Sequence, residues 1–118
     1  MTGLTSYLAG LAAEDSVEAE YHRNGHDIAA RRWRGSRGEI DIVAKDGDGF
    51  IFVEVKKSRS FARAAERVSR QQMHRIFGAA SEFMAKQPRG LLTPARFDVA
   101  LVNALGERKI IKNAFAHC

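Results

Sequence analysis

Apolar and polar positions change period several times along the chain, and each change marks an element. Residues 4–23 contain no proline, are rich in Ala, Leu and Glu, and are followed by Asn24-Gly25, a common helix stop; they predict a helix. A short strand is expected over 27–34. The clearest pattern lies in two runs, Gly38-Glu39-Ile40-Asp41-Ile42-Val43-Ala44-Lys45 and Phe50-Ile51-Phe52-Val53-Glu54-Val55-Lys56-Lys57, on either side of Asp46-Gly47-Asp48-Gly49. Asp-Gly between apolar strand-forming runs is a strong hairpin signal. Residues 62–86 read as one long helix, ended by Pro88 and Gly90, and two further strands are expected near 96–103 and 108–113. The order α-β-β-β-α-β-β, with no internal repeat or linker, predicts a single mixed α/β domain over residues 1–118.

Pairing rules turn this hairpin into candidate chemistry. A turn at Gly47-Asp48 sets Asp46 opposite Gly49, which brings Asp41 opposite Glu54 and Glu39 opposite Lys56. Side chains alternate along a strand, so Glu39, Asp41, Val43, Phe52, Glu54 and Lys56 are expected on one face. The other face, Ile40, Ile42, Ala44, Ile51, Val53 and Val55, is apolar and predicted to be core. Two opposed carboxylates about 5 Å apart repel by roughly 3 kcal/mol at an effective dielectric near 20. A divalent cation reverses that sign, since Mg²⁺ takes oxygen ligands and is often held by one or two carboxylates plus a substrate phosphate. Lys56 would project to the same side, within reach of a phosphate or an attacking water. The alternative is an exposed polar rim with Lys56 neutralising both acids.

Two helical residues could join this site. Glu14, Val17 and Tyr21 follow helical spacing, so Glu14 lies beside an apolar stripe and either turns towards the acids or stays on the surface beside Glu18. Val68, Gln72, Ile76, Ala80 and Phe83 form a second stripe that Gln72 interrupts; its amide either meets the polar rim or is satisfied within the core.

Charge and composition narrow the classes. The chain has 118 residues, 45% of them hydrophobic and 28% charged, enough for one real core and too apolar for a disordered chain. Its lone cysteine, Cys118, excludes an internal disulfide framework and a cysteine-rich zinc module, and a reducing, cytoplasmic setting is expected. No base precedes Arg23 and the apolar stretch 8–13 is short, so neither a secretory leader nor a membrane span is expected. His22, His26, His74 and His117 lack metal-ligand spacing, and Cys118, at a terminus, is a poor catalytic thiol. Nineteen Lys plus Arg against 14 Asp plus Glu give +5, unevenly placed. Acids gather at Glu14, Asp15, Glu18 and Glu20. Bases gather at Arg31, Arg32, Arg34 and Arg37 around Trp33, and again at Lys56, Lys57, Arg59, Arg63, Arg67, Arg70 and Arg75. Such clusters suit a phosphate backbone, although each on its own could be a solvated face. Trp33 could stack on an unpaired base or be partly buried.

The two hairpin motifs, Gly38-Glu39-Ile40-Asp41-Ile42-Val43-Ala44 and Phe52-Val53-Glu54-Val55-Lys56, resemble the YraN-like family of small bacterial proteins. That family is placed in the PD-(D/E)xK nuclease superfamily. Ala13-Glu14-Asp15 with Tyr21 and Gly25, Arg96-Phe97-Asp98-Val99, and Ile111-Lys112-Asn113-Ala114-Phe115 extend the resemblance over almost the whole chain. It implies a restriction-endonuclease-like mixed sheet of about five strands flanked by helices. It also implies Asp41 and Glu54 as metal ligands and Lys56 as the catalytic lysine, with Glu14 matching an acidic helix position that joins the metal site in related junction-resolving nucleases. Gln72 stands where that family usually has lysine, Phe61-Ala62 replaces its Phe-Gly, and Ile40 takes the place of the superfamily's proline.

The resulting expectation is a Mg²⁺- or Mn²⁺-dependent endonuclease acting on DNA, branched or single-stranded. Asp41, Glu54 and the Val55 carbonyl would hold the metal, with Glu14 joining through water, and Lys56 and Gln72 would complete the catalytic set. Arg31, Arg32, Arg34, Arg37, Lys57, Arg59, Arg63, Arg67 and Arg70 would grip the backbone without reading sequence. The small groove of such a short nuclease leaves room for a homodimer. The rival expectations are a binding module on a nuclease-like fold that holds nucleic acid without cutting it, and an RNA-directed protein.

Overall fold

A computed structural model describes residues 3–115, the side chains of 5–7 apart. The elements are α1 (Gly3–Arg23), β1 (Ile28–Arg34), β2 (Glu39–Asp46), β3 (Gly49–Lys57), α2 (Phe61–Glu66), α3 (Arg70–Ala85), a 3₁₀ turn (Gly90–Leu92), β4 (Ala95–Val102) and β5 (Arg108–Ile111). The strands form one sheet in chain order, antiparallel except for the parallel pair β3–β4. Parallel neighbours need a crossover, which α2 and α3 supply. The mixed five-stranded sheet flanked by helices expected from the sequence is therefore present, in the order α-β-β-β-α-α-β-β.

The expected single helix over 62–86 is two helices. Its break at 67–69 has a local cause in paired serine caps. The Ser60 hydroxyl accepts from the Arg63 N–H at the start of α2, and the Ser69 hydroxyl from the Gln72 N–H at the start of α3. Ser69 is extended (φ −104°, ψ 160°), so helical hydrogen bonding cannot run through it. The break moves Gln72 from mid-helix to the first turn of α3.

Both sheet faces are covered. Ala13, Val17 and Tyr21 of α1 pack on Ile42, Ala44, Ile51, Val53, Ala100 and Val102. On the other face Ala79, Ala80, Phe83 and Met84 of α3 cover Ile40, Val43 and Phe52, with Trp33 and Phe97 partly buried beside them. Edge-to-face contacts of Phe83 with Trp33, Phe50 and Phe52 and of Phe77 with Phe97, at ring distances of 4.7–5.8 Å, hold that layer. Trp33 belongs to this packing. The hairpin turn has the expected register: Asp46 faces Gly49, and Gly47 adopts φ +57°, a conformation that favours glycine.

One expectation about the faces needs correcting. Ile40 was expected beside Ile42, yet it packs under α3 while Ile42 packs under α1. The alternation therefore slips at Asp41. A matching slip occurs on β1: Arg31 faces Ile42 and Trp33 faces Ile40 in register, which sets Arg32 against Asp41, and Arg32 has φ +47°. Positive φ is rare for a residue with a side chain and marks a locally strained backbone. Because both strands slip together, the register survives while the side chains change face.

Candidate metal centre and basic cleft

The ladder between β2 and β3 runs from Asp46–Gly49 to Ile42–Val53 and stops there, one pair short of the expected Asp41–Glu54. Continued, it would set Val55 against Ile40. Instead, the Val55 N–H donates to Asp41 Oδ2 at 2.8 Å, so a carboxylate takes the place of a backbone partner. The N–H and C=O of a strand residue face the same neighbour, which directs the Val55 carbonyl into the same gap.

Glu54 lies beside Asp41 and is 6% exposed. Its Oε1 accepts from Gln72 Nε2 at 2.8 Å and sits 3.2 Å from Lys56 Nζ. Burial is the main force on both acids, disfavouring their charged forms. Asp41 is pushed up to about 6, with Glu14 raising it further and the Val55 N–H and Lys56 opposing. Glu54 is pushed up to about 8; the neighbouring Asp41 adds to burial and Lys56 opposes. Two carboxylates share a partly desolvated site with less positive charge around them than their ionised forms require.

Glu14 is near but otherwise engaged. Its side chain is 12% exposed, and its oxygens take Arg32 Nε (3.0 Å) and Nη2 (3.3 Å). It lines a cavity of about 650 Å³ together with Val55, Lys56, Lys57, Ser58, Arg59 and Arg67. This cavity brings Glu14, Val55 and Lys56 together with part of the second basic cluster, and Arg67 Nη1 donates to the Lys57 carbonyl at 2.7 Å. Arg63 and Arg70 are exposed on the adjoining helix starts.

The first basic cluster faces protein acids. Arg31 meets Asp15 (2.7 Å) and Glu18 (2.9 Å) on α1, Arg32 meets Glu14, and Arg34 meets Glu39 (3.0 Å). Exposed Arg37 lies over Gly78 and lines a second recess with Gln71, His74 and Arg75. His117 and Cys118 lie outside the described residues.

Among the described residues, no group of three or more His, Cys, Asp or Glu side chains is gathered to hold a metal. What the fold does assemble is an all-oxygen set: two carboxylates and a carbonyl at the end of a ladder. That chemistry fits a hard cation such as Mg²⁺ or Mn²⁺, which accepts one or two carboxylates and completes its shell with water and phosphate. The raised affinity of both acids for protons points the same way, because a cation would stabilise their ionised forms.

Two features escaped the sequence. The left-handed turn at Arg32 has no signal in an arginine. Nor does Asp98 announce its surroundings: it is fully buried and accepts from Tyr21 Oη (2.6 Å), Arg96 Nε (2.9 Å) and Nη2 (3.1 Å), and the Asn113 N–H (2.9 Å). Burial first, then this bond to Asp98, raises the Tyr21 phenol well above its ordinary range.

Residues 13–102 match the model of the family described as Uncharacterised protein family UPF0102. A UPF0102 protein of Cereibacter sphaeroides is 61% identical over 116 residues, covering 98% of this chain and 99% of its own. One from Ruegeria pomeroyi is 55% identical over 115 residues, 98% of this chain and 94% of its own. One from Dinoroseobacter shibae is 42% identical over 111 residues, 94% of this chain and 83% of its own.

Proposed function

The chain belongs to the UPF0102 family, and on that premise we propose that it is a divalent-metal-dependent endonuclease hydrolysing phosphodiester bonds in DNA. The observation that carries this reading is the adjacency of Asp41 and Glu54 at the broken end of the hairpin, with Lys56 against Glu54. Asp41, Glu54 and the Val55 carbonyl would hold Mg²⁺ or Mn²⁺. When bound, the ion would supply Lewis-acid activation of a phosphoryl oxygen and lower the pKa of a water.

The chain's own groups divide the remaining work. Lys56 supplies positive charge for the phosphate as negative charge develops on it. Gln72 and Lys56 both occupy Oε1 of Glu54, which fixes the rotation of that carboxylate and leaves Oε2 for the metal. Lys57, Arg59 and Arg67 in the cavity beside Lys56, with Arg63 and Arg70 exposed on α2 and α3, would attract the nucleic-acid backbone. These contacts carry no base readout, so the preference would be for DNA structure rather than sequence.

One observation favours a second reading, a nucleic-acid-binding module without cleavage: Glu14 is paired with Arg32 instead of joining the other acids. Calorimetry with Mn²⁺ on the wild type and Asp41→Ala, followed by incubation with duplex, flap, junction and single-stranded DNA, separates the two. Binding lost in the variant and cleavage of at least one DNA support the nuclease. Binding of DNA independent of metal, with no cleavage, supports the module.

A further inference from the structure

We infer that Arg32 is a positioning residue that withholds Glu14 from the metal centre, so that the site operates with two carboxylates and not three. The inference rests on the metal-site reading above and adds to it a residue that sets the charge of the site.

Three observations converge on Arg32. First, past a bulge between Ile28 and Ala30, β1 alternates up to this point: Ala30 packs under α3 and Arg31 reaches the acids of α1. Arg32 should then face α3. Its left-handed backbone, φ +47°, turns it to α1 instead and returns Trp33 to the α3 layer. Second, the fork of the guanidinium takes both oxygens of Glu14, a bidentate geometry that fixes the carboxylate towards Arg32. Third, Glu14 borders the same cavity as Val55 and Lys56, and Arg32 stands opposite Asp41 in the register, so the pair is next to the acids while remaining separate from them. A strained backbone conformation retained beside a charged site is stabilised by what it positions. Here that includes the ion pair with Glu14, 36% exposed on the arginine and 12% on the glutamate.

The consequence is electrostatic. With Arg32 in place, the Glu14 oxygens are engaged by the guanidinium, and the carboxylate acts on Asp41 only through its field. Without it, an uncompensated carboxylate faces the cavity and becomes a third anionic group for a cation. Glycine and asparagine both tolerate positive φ, so Arg32→Gly and Arg32→Asn remove the guanidinium without forcing the strand to rearrange. Mn²⁺ binding should then be measured by calorimetry for the wild type, Arg32→Gly, Arg32→Asn, Glu14→Gln and Arg32→Gly/Glu14→Gln, with circular dichroism melts to confirm folding of each.

The expected result is Mn²⁺ affinity about tenfold higher in whichever of Arg32→Gly and Arg32→Asn folds. Glu14→Gln should stay near the wild type, and the double variant should fall back to the Glu14→Gln value. Binding seen only after Arg32 is replaced would support the inference still more directly. Wild-type binding with no gain on replacing Arg32, or a gain that persists in the double variant, would overturn it and leave the metal-site reading intact. No Mn²⁺ binding by any of the five proteins would overturn both.

Discussion

The sheet holds two buried acid sites, and they are built on opposite principles. Asp98 is fully buried, yet the phenol of Tyr21, the two-pronged Arg96 and the Asn113 N–H give its carboxylate four donors. It ties together α1, β4 and the residues after β5. Asp41 and Glu54 are less deeply placed, yet they face one another with one lysine, one amide and one backbone N–H between them. The two sites differ in compensation more than in burial: the first has a donor for each acceptor direction it uses, whereas the second leaves two facing acids with few donors, which is why a cation is proposed there.

The comparison breaks most visibly at Asp98. Asp98→Ala strands the Tyr21 hydroxyl and the Arg96 guanidinium, and urea denaturation should show a loss of about 3–5 kcal/mol. A loss below about 1 kcal/mol would mean that the network is not a structural tie.

At the other site the sign should reverse. Glu54→Gln removes one of two poorly compensated charges, so the metal-free protein at pH 8 should gain about 1–2 kcal/mol on the same denaturation assay. It should at the same time lose most of its Mn²⁺ affinity. A destabilised variant would show that the acid pair is held by interactions stronger than those seen here.

The same contrast can be followed with pH. Asp41 and Glu54 have folded-state pKa values above their unfolded ones, so the folded protein binds more protons than the unfolded chain between them. The stability they contribute is fully present below about pH 4 and is lost as pH rises through about 6 and 8. Metal-free melting temperatures should therefore fall from pH 5 to pH 8.5 by several degrees. The fall should flatten in Asp41→Asn/Glu54→Gln and reappear as proton release when Mn²⁺ is added to the wild type. A slope unchanged by the double substitution would place its origin elsewhere.

The smallest effect is expected at Gln72. Gln72→Ala removes one donor to Glu54 while Lys56 still holds the same oxygen, so stability should change by less than about 1 kcal/mol. Mn²⁺ affinity should weaken a few-fold, because the carboxylate is less firmly oriented. Unchanged affinity would make Gln72 a packing residue only.

Local physics was legible in the sequence. The alternation of the two hairpin runs and the Asp-Gly turn set the register from Asp46–Gly49 to Ile42–Val53, and with it the neighbourhood of Asp41, Glu54 and Lys56. The break between α2 and α3 was also written there, as Ser60 and Ser69 three residues before the N–H groups they cap, although the helical spacing from Val68 to Phe83 and the absence of proline argued for a single helix. Periodicity and capping depend on residues a few positions apart, which is why they can be read without knowing the fold.

Contacts between elements were decided only by the tertiary structure. Arg32 and Gln72 each meet their acid partner across 18 residues, and Tyr21 meets Asp98 across 77. Arg31, Arg32 and Arg34 formed a basic cluster in the sequence, but the fold brings acids of α1 and β2 against them and leaves Lys57, Arg59 and Arg67 at the site's mouth. Ile40 departs from simple alternation for a related reason. Alternation assumes every residue in a strand takes extended dihedrals, and the paired slip at Arg32 and Asp41 is held by packing from both sides of the sheet. Sequence fixed which charges this protein carries and on which strands; packing fixed which of them cancel, because cancellation depends on distance in space.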